Sequence, residues 1–232
     1  MSNNKKHKLK NIAIIPAAGK GIRFNAKEGK LFIKIKDKPL LWHTLQPFIH
    51  SKLIDEIILI FDPLNMEKQK EIVMPWFENK PFYIVQGGVE RQESIYNALK
   101  FLQQNNLKPE TVIVHDGARP YVTKTIIEEC ITKAKKLKAV ITAVAVTDTI
   151  KQSDGKDKIL KTIPRENLWS VQTPQAYDYE ILLNAYNKAY QDNFLGTDDA
   201  MLLERLNINV YILKGEYSNI KITTKEDLNL RN

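Results

Sequence analysis

The chain has 232 residues, of which 43% are hydrophobic and 27% charged, a balance that excludes wholesale disorder. Nine glycines and ten prolines exclude a collagenous or proline-rich architecture, and the longest largely apolar run, Ala139–Val146, has eight residues including Thr142, far short of the roughly 18 to 20 that a membrane helix needs. The net charge is +8, but Lys5, Lys6, Lys8 and Lys10 place half of the excess in a short basic tail over residues 1–10.

The rest of the positive charge is spread along Lys- and Asn-rich sequence. It lacks the block of basic residues interleaved with aromatics that an RNA-binding sheet needs, so small anionic substrates are expected and nucleic acid is not. Cys130 is the only cysteine, which leaves no internal disulfide and no Cys-based zinc cluster. Within Ile126-Ile127-Glu128-Glu129-Cys130 it reads as a small buried helix residue. No arginine-rich leader or apolar signal opens the chain, so a cytoplasmic enzyme or binding domain without a membrane partner is expected.

In chain order, Ile12–Ile15 reads as a short β-branched strand ended by Pro16 and a Gly-containing loop. Leu40–His50 reads as a helix with Pro39 in its first turn and a kink at Pro47. Ile57–Phe61 is strand, Met66–Phe77 helix disturbed near its end by Pro75, and Phe82–Val85 strand. Ile95, Ala98, Leu99 and Leu102 form the i, i+3, i+4, i+7 stripe of an amphipathic helix. Val112–Val114 is strand, Ile126–Leu137 helix and Val140–Val146 strand. This alternation predicts an α/β domain with a parallel sheet and helices on both faces.

Residues 149–163 break the alternation. Thr149-Ile150-Lys151 and Ile159-Leu160-Lys161 flank Asp154-Gly155, a pair suited to a tight hairpin turn, and the ribbon has too few apolar residues for a core of its own. It reads as a hairpin arm, over about residues 148–164, projecting from a single domain spanning 1–232. A helix near Asp178–Tyr190, another after Thr197, a strand at Val210–Leu213 and a short helix after Thr224 complete the chain.

The unusual residues follow strand ends, where open parallel sheets bind ligands. Pro16-Ala17-Ala18-Gly19-Lys20-Gly21-Ile22-Arg23 follows the first strand; its small residues permit close backbone approach, and Arg23 can clamp phosphate oxygens. Phe24 stands where the third glycine of a dinucleotide fingerprint belongs, and no P-loop motif occurs. Lys30 could join Arg23 in neutralising a triphosphate. Gly87-Gly88-Val89-Glu90-Arg91-Gln92-Glu93-Ser94 opens a helix and reads equally as a plain turn or as an anion site. His115-Asp116-Gly117-Ala118-Arg119-Pro120 packs an Asp and an Arg into a short turn, which points to function at Asp116 and leaves Arg119 open between function and a loop tie.

These four segments, in this order, resemble the 2-C-methyl-D-erythritol 4-phosphate cytidylyltransferase family, from about Ile12 to Leu228. The Val112–Pro120 run carries the resemblance most strongly. Thr147–Lys151, Pro164–Trp169, Gln172-Thr173-Pro174-Gln175, Thr197-Asp198-Asp199-Ala200 and Asn219-Ile220-Lys221 extend it. The resemblance implies a Rossmann-like, mostly parallel sheet flanked by helices, a homodimer formed through the hairpin arms, CTP as donor, a sugar-alcohol phosphate as acceptor, and Mg²⁺ carried mainly on the CTP phosphates without a protein metal cage. It implies that Arg23 and Lys30 stabilise the transition state and that Ala17, Ala18, Gly19, Gly88, Arg91 and Ser94 bind the nucleotide. Arg165, Lys221, Thr149 and Asp116 would line the acceptor site, Thr149 and Arg165 reaching it from the partner subunit's arm. Gly29 and Leu31 depart from the Pro and Gln common around the second catalytic lysine.

Three other readings stand beside this one. A ribitol 5-phosphate cytidylyltransferase shares fold and donor, but Pro16-Ala17-Ala18-Gly19 and the Ala118-Arg119 pair favour the methylerythritol enzyme. A nicotinamide-dependent oxidoreductase could use Asp37, but Phe24 opposes it. A non-catalytic nucleotide sensor is disfavoured by the presence of Arg23, Lys30, Arg165 and Lys221 together.

Overall fold

The computed structural model describes residues 11–19 and 29–231; the basic tail, with Lys5, Lys6, Lys8 and Lys10, and Arg23 in the first loop lie outside them. Its centre is a seven-stranded sheet. The strands are β1 (Asn11–Pro16), β4 (Glu56–Phe61), β5 (Phe82–Gln86), β6 (Thr111–Val114), β7 (Ala139–Ala145), β10 (Trp169–Asp178) and β11 (Tyr211–Lys214), in the spatial order β11-β7-β10-β6-β1-β4-β5. All neighbours pair in parallel except β10, which runs antiparallel between β6 and β7. Two short ribbons stand apart from it: β2 (Lys34–Ile35) with β3 (Lys38–Pro39), and β8 (Ile150–Ser153) with β9 (Ile159–Ile163).

Strands covered on both faces read as continuous apolar runs, as the Ile-rich β1 and β4 do. Their side chains still alternate between two cores. Ala13 and Ile15 face one core with α1 (Leu40–Ile49) and α4 (Lys124–Leu137), while Ile12 and Ile14 face the other with α3 (Arg91–Gln104), α5 (Tyr179–Gln191) and α6 (Asp199–Glu204). The predicted stripe of Ile95, Ala98, Leu99 and Leu102 is wholly buried in that second core. Thr123 starts α4 by accepting a hydrogen bond from the Ile126 N–H, and Asp178 does the same for α5 through the Ile181 N–H.

Helix α1 runs through Pro47 to Ile49. Helix α2 (Met66–Val73) gives way to a 3-10 turn, Met74–Trp76, around Pro75, the proline expected to disturb its end. In the arm, Asp154-Gly155 opens a connection over residues 154–158 instead of forming a two-residue turn, with Gly155 at φ 84° and Asp154 N–H bonded to the Lys158 carbonyl at 3.1 Å.

Strand β10 is the element that the pattern of residues does not announce. Pro174 cannot donate to a ladder and its neighbours Gln172, Thr173 and Gln175 are polar, features that argue against a central strand. The chain accommodates them by a register shift between Gln172 and Gln175, so the proline sits in a bulge and pairing resumes at Gln175 with Val114 and Ile141. Because β1 pairs with β4 on one side and β6 on the other, the chain leaves the sheet in opposite directions at the carboxyl ends of β1 and β6, and a crevice opens there.

Candidate active site

The crevice walls are tied to one another by backbone bonds. The Ala17 N–H donates to the Ile60 carbonyl at 2.8 Å and the Gly87 N–H to the Phe61 carbonyl at 2.8 Å, fastening the loops after β1 and β5 to the end of β4. A Cβ on Gly87 would stand 2.5 Å from the Ala18 Cβ and 3.2 Å from the Phe61 carbonyl oxygen, so only glycine lets these two loops touch. Ser94 Oγ accepts from the Gly88 N–H at 3.1 Å and donates to the Glu90 carbonyl at 3.1 Å, which folds the Gly-Gly turn back onto the first turn of α3.

After β6, Asp116 is buried and stands among three cations. Arg91 Nε lies 3.4 Å from its Oδ1, while Arg119 Nε at 3.4 Å and Lys221 Nζ at 3.0 Å share Oδ2. Burial alone would raise its pKa, but Arg91, Lys221 and Arg119 outweigh that and hold the carboxyl well below the ordinary carboxylate range. The preceding His115 is buried and donates from Nε2 to the Arg119 carbonyl at 3.3 Å, because a carbonyl can only accept; Nδ1 is then the acceptor for the Thr173 hydroxyl at 3.0 Å. Thr173 Oγ in turn accepts from the Asp116 N–H at 3.0 Å. Burial pushes the His115 pKa down to about 4, so near neutral pH the ring is an uncharged strut for the Asp116 turn.

The C-terminal segment closes the site. Arg119 Nη1 donates to the Asn219 carbonyl at 2.8 Å, the Asn219 side-chain amide to the Thr173 carbonyl at 2.8 Å, and Lys30 Nζ to the Ile222 carbonyl at 2.7 Å. One stretch of backbone therefore positions Arg119 and Lys30 and carries Lys221.

Two spaces meet at Asp116. The first, about 220 Å³, is walled by the post-β1 loop at Pro16, Ala18 and Gly19, by Lys30, by the turn from Gly88 through Arg91 and Ser94, and by Lys221. The second, an open cleft of about 520 Å³, is lined by Arg119, Val171, Gln172, Thr173 and Gln175 on one side and the start of α6 on the other. Arg91, Asp116 and Lys221 line both. A narrow space able to take a flat base and phosphates, a wider cleft beside it, and cations at the seam are what transfer of a phosphoryl-linked group between two anionic molecules requires.

The comparisons with known proteins decide the family. The model of the 2-C-methyl-D-erythritol 4-phosphate cytidylyltransferase family matches residues 11–232. The chain belongs to this family. It is 43% identical to the cytidylyltransferase of that name from Caldanaerobacter subterraneus subsp. tengcongensis, covering 93% of the chain and 94% of the relative, and 45% identical to that from Clostridioides difficile, covering 94% and 90%. Among solved structures it resembles the 4-diphosphocytidyl-2C-methyl-D-erythritol synthase of Anaerococcus prevotii, with a TM-score of 0.83, 34% identity and coverage of 95% and 93%. The Francisella tularensis cytidylyltransferase gives a TM-score of 0.79 at 32% identity, with coverage of 95% and 97%. The nicotinamide reading is thereby overturned; Asp37, on which it leaned, lies in the exposed turn between β2 and β3.

Within this cytidylyltransferase family frame, Ala18, Gly19, Lys30, Gly88, Arg91, Ser94, Asp116 and Lys221 come together around the first space, and Ala17 lies buried just behind it. Thr149 and Arg165 do not join them within the chain. Both are exposed on the arm, and Arg165 donates to the Thr147 carbonyl. Arg119 is both a loop tie and a wall of the second cleft. The sequence reading missed Thr173, Asn219 and Asp199 as site residues, although each lies in a segment that carries the family resemblance.

Two outcomes follow from this geometry. Gly87→Ala should lower unfolding free energy by about 1–3 kcal/mol, since neither neighbouring loop can give way, and should weaken CTP binding; a wild-type urea midpoint with wild-type CTP affinity would show that the loops separate freely. His115 has a lower pKa folded, about 4, than its ordinary 6.5, so the unfolded chain alone takes up its proton between those values. Stability should therefore fall as pH drops from 7 to 4.5, by on the order of 2–3 kcal/mol from this group, and His115→Gln should flatten that slope in urea titrations.

Proposed function

We propose that this chain transfers the cytidylyl group of CTP to 2-C-methyl-D-erythritol 4-phosphate, giving 4-diphosphocytidyl-2-C-methyl-D-erythritol and pyrophosphate for isoprenoid precursor synthesis by the non-mevalonate route. The observation that carries the reading is the pair of spaces sharing Arg91, Asp116 and Lys221, in a chain whose family is defined by this reaction. CTP occupies the narrow space, with base and ribose against Ala17, Ala18, Gly19, Gly88 and Ser94. The acceptor lies in the wider cleft, near Asp116 and Lys221.

In the reaction a phosphate oxygen of the acceptor attacks the α-phosphorus in line. The new O–P bond forms as the bond to the β-phosphate bridging oxygen breaks, and pyrophosphate leaves with that electron pair. A phosphate monoester loses its second proton near pH 6, so the attacking oxygen is already anionic near neutrality and no strong base is needed. Neutral, buried His115 agrees with this division of labour. Charge stabilisation falls to Lys30 and Arg23, with Arg91 on the nucleotide phosphates and Lys221 on the acceptor phosphate.

Mg²⁺ would arrive on the triphosphate and neutralise part of its charge. Among the described residues no three His, Cys, Asp or Glu side chains gather as a metal cage, and Asp116 already faces three cations, so the chain's own residues suit a substrate-borne ion rather than a resident one. Among the described residues no helix is long and apolar enough to cross a membrane, and a CTP-dependent reaction fits the cytoplasm, where its donor is made.

The arm supports a homodimer. Ile159 and Leu160 on β9 are 58% and 56% exposed, and Trp169 and Val171 on β10 are exposed as well, Val171 also lining the acceptor cleft. Two arms pairing about a two-fold axis would cover this surface and bring Thr149 and Arg165 to the neighbour's cleft.

Pyrophosphate release with CTP should be fast with methylerythritol phosphate and slow with ribitol 5-phosphate; the reverse order would overturn the acceptor assignment. Lys30→Ala should lower kcat by on the order of 10² to 10³, more than it weakens CTP binding, and an unchanged kcat with only a raised KM would make Lys30 a plain binding residue. Mixing inactive Arg165→Ala with inactive Lys30→Ala and allowing subunits to exchange should restore roughly a quarter of wild-type sites, since about half the dimers are mixed and each holds one intact site. Verified exchange without recovered activity would show that Arg165 does not act across the dimer.

A further inference from the structure

Thr197 and Asp198 line the second cleft, whereas Asp199 has no part in the scheme above, yet it places a fully buried carboxylate beside the seam of the two spaces. Capping does not account for it, because Asp198 already caps α6 by accepting from the Met201 N–H at 3.0 Å. Asp199 is 0% exposed. Its Oδ2 accepts from Arg91 Nη2 at 2.8 Å, and its Oδ1 accepts from the hydroxyl of Tyr186 on α5. Tyr186 is itself fully buried, and burial together with the adjoining carboxylate pushes its pKa up, so it stays a donor.

Arg91 lines the walls of both spaces and pairs with Asp199 as well as with Asp116. Its contact to Asp199 is short, whereas the one to Asp116 is 3.4 Å. Two of its five N–H donors are spent in this way, and the others are left for phosphate oxygens. A buried ion pair is poor value as a stability device, since apolar side chains of the same volume often serve as well or better. Orientation is a better reason for it. Without the Asp199 charge, Arg91 would swing fully onto Asp116, in competition with Arg119 and Lys221, and its free donors would leave the phosphate path.

Resting on the cytidylyl transfer proposed above, we propose that Asp199, held by the Tyr186 hydroxyl, is a positioning residue that fixes the Arg91 guanidinium at the seam, where its remaining N–H groups meet the CTP phosphates. The relay links α5, α6 and α3 to a point of the nucleotide site that none of the first two touches.

The test uses the full chain with D199N, Y186F, R91A and the D199N/R91A double variant, read by calorimetric titration with CTP and by pyrophosphate release with CTP and methylerythritol phosphate. Asp199→Asn keeps shape and removes charge; it should raise the CTP Kd and lower kcat/KM for CTP by about tenfold each. Tyr186→Phe should move both in the same direction by about threefold. In the R91A background D199N should add less than about twofold, because its effect passes through Arg91, whereas a purely structural role would add in full. Folded D199N within twofold of wild type in both readouts, or an undiminished effect on top of R91A, would overturn the proposal. Should D199N fail to fold, Y186F, which loses only a hydroxyl, decides: wild-type Kd and kcat/KM would overturn it. A wild-type chain that binds CTP but releases no pyrophosphate with methylerythritol phosphate would sink the acceptor assignment and leave the CTP-affinity comparison to judge Asp199; a wild type that binds no CTP would sink both.

Discussion

A buried carboxylate facing three cations is the constraint around which the rest of this molecule is arranged. Asp116 holds Arg91, Arg119 and Lys221 within 3.4 Å, and these come from α3, from the turn after β6 and from the C-terminal segment. With Asp199 as the second buried anion, three positive groups face two negative ones. The centre therefore keeps one unit of positive charge in a place of reduced dielectric, where it acts strongly on an incoming phosphate. Removing one member of such a cluster leaves its partners desolvated and unmatched, which typically costs about 3–5 kcal/mol, so the cluster also fixes how the three chain segments sit relative to one another.

The neutral scaffold beneath it explains why this charge can be held without a proton-transfer apparatus. His115 and Thr173 bridge the Arg119 carbonyl to the Asp116 N–H, and Thr173 can do so because the β10 bulge turns it toward β6. Asn219 then ties the same strand to the C-terminal segment, whose carbonyls hold Arg119 and Lys30. Residues a hundred or more positions apart thus set the direction of each cation before any substrate enters, and fixed, preorganised charge is what a phosphoryl transition state draws upon.

Much of this was legible in the residues because each feature had a local cause. The alternating runs marked β1, β4, β6 and their helices, and the stripe from Ile95 to Leu102 found the buried face of α3. Small residues after β1 and β5, and the Asp-Gly turn after β6, marked the strand ends that form the crevice. What stayed hidden depended on pairing across the chain. Strand β10 looks like a polar, proline-bearing loop until β6 and β7 flank it. Asp199 looks like one more acid in a helix cap until Tyr186 and Arg91 close around it. The length of the arm's turn is set by a register shift between Gln152 and Ser153 rather than by Asp154-Gly155 alone.

The arm shows how far one chain can carry the site. A two-stranded ribbon with Ile159 and Leu160 turned to solvent gains little from its own pairing, so its sequence is hard to explain by the stability of a single subunit. Further along the chain Trp169 and Val171 are exposed as well, and Val171 borders the open cleft beside Asp116. In the proposed dimer, a partner covering these side chains would reach the cleft at Val171. Arg165 lies between the ribbon and β10, exposed, with its guanidinium donating to the Thr147 carbonyl, so a cation is carried next to the surface that the proposed dimer would cover. Burying a charge against apolar partners is unfavourable unless an anion awaits it, and in the proposed dimer the acceptor phosphate in the neighbour's cleft would be that anion.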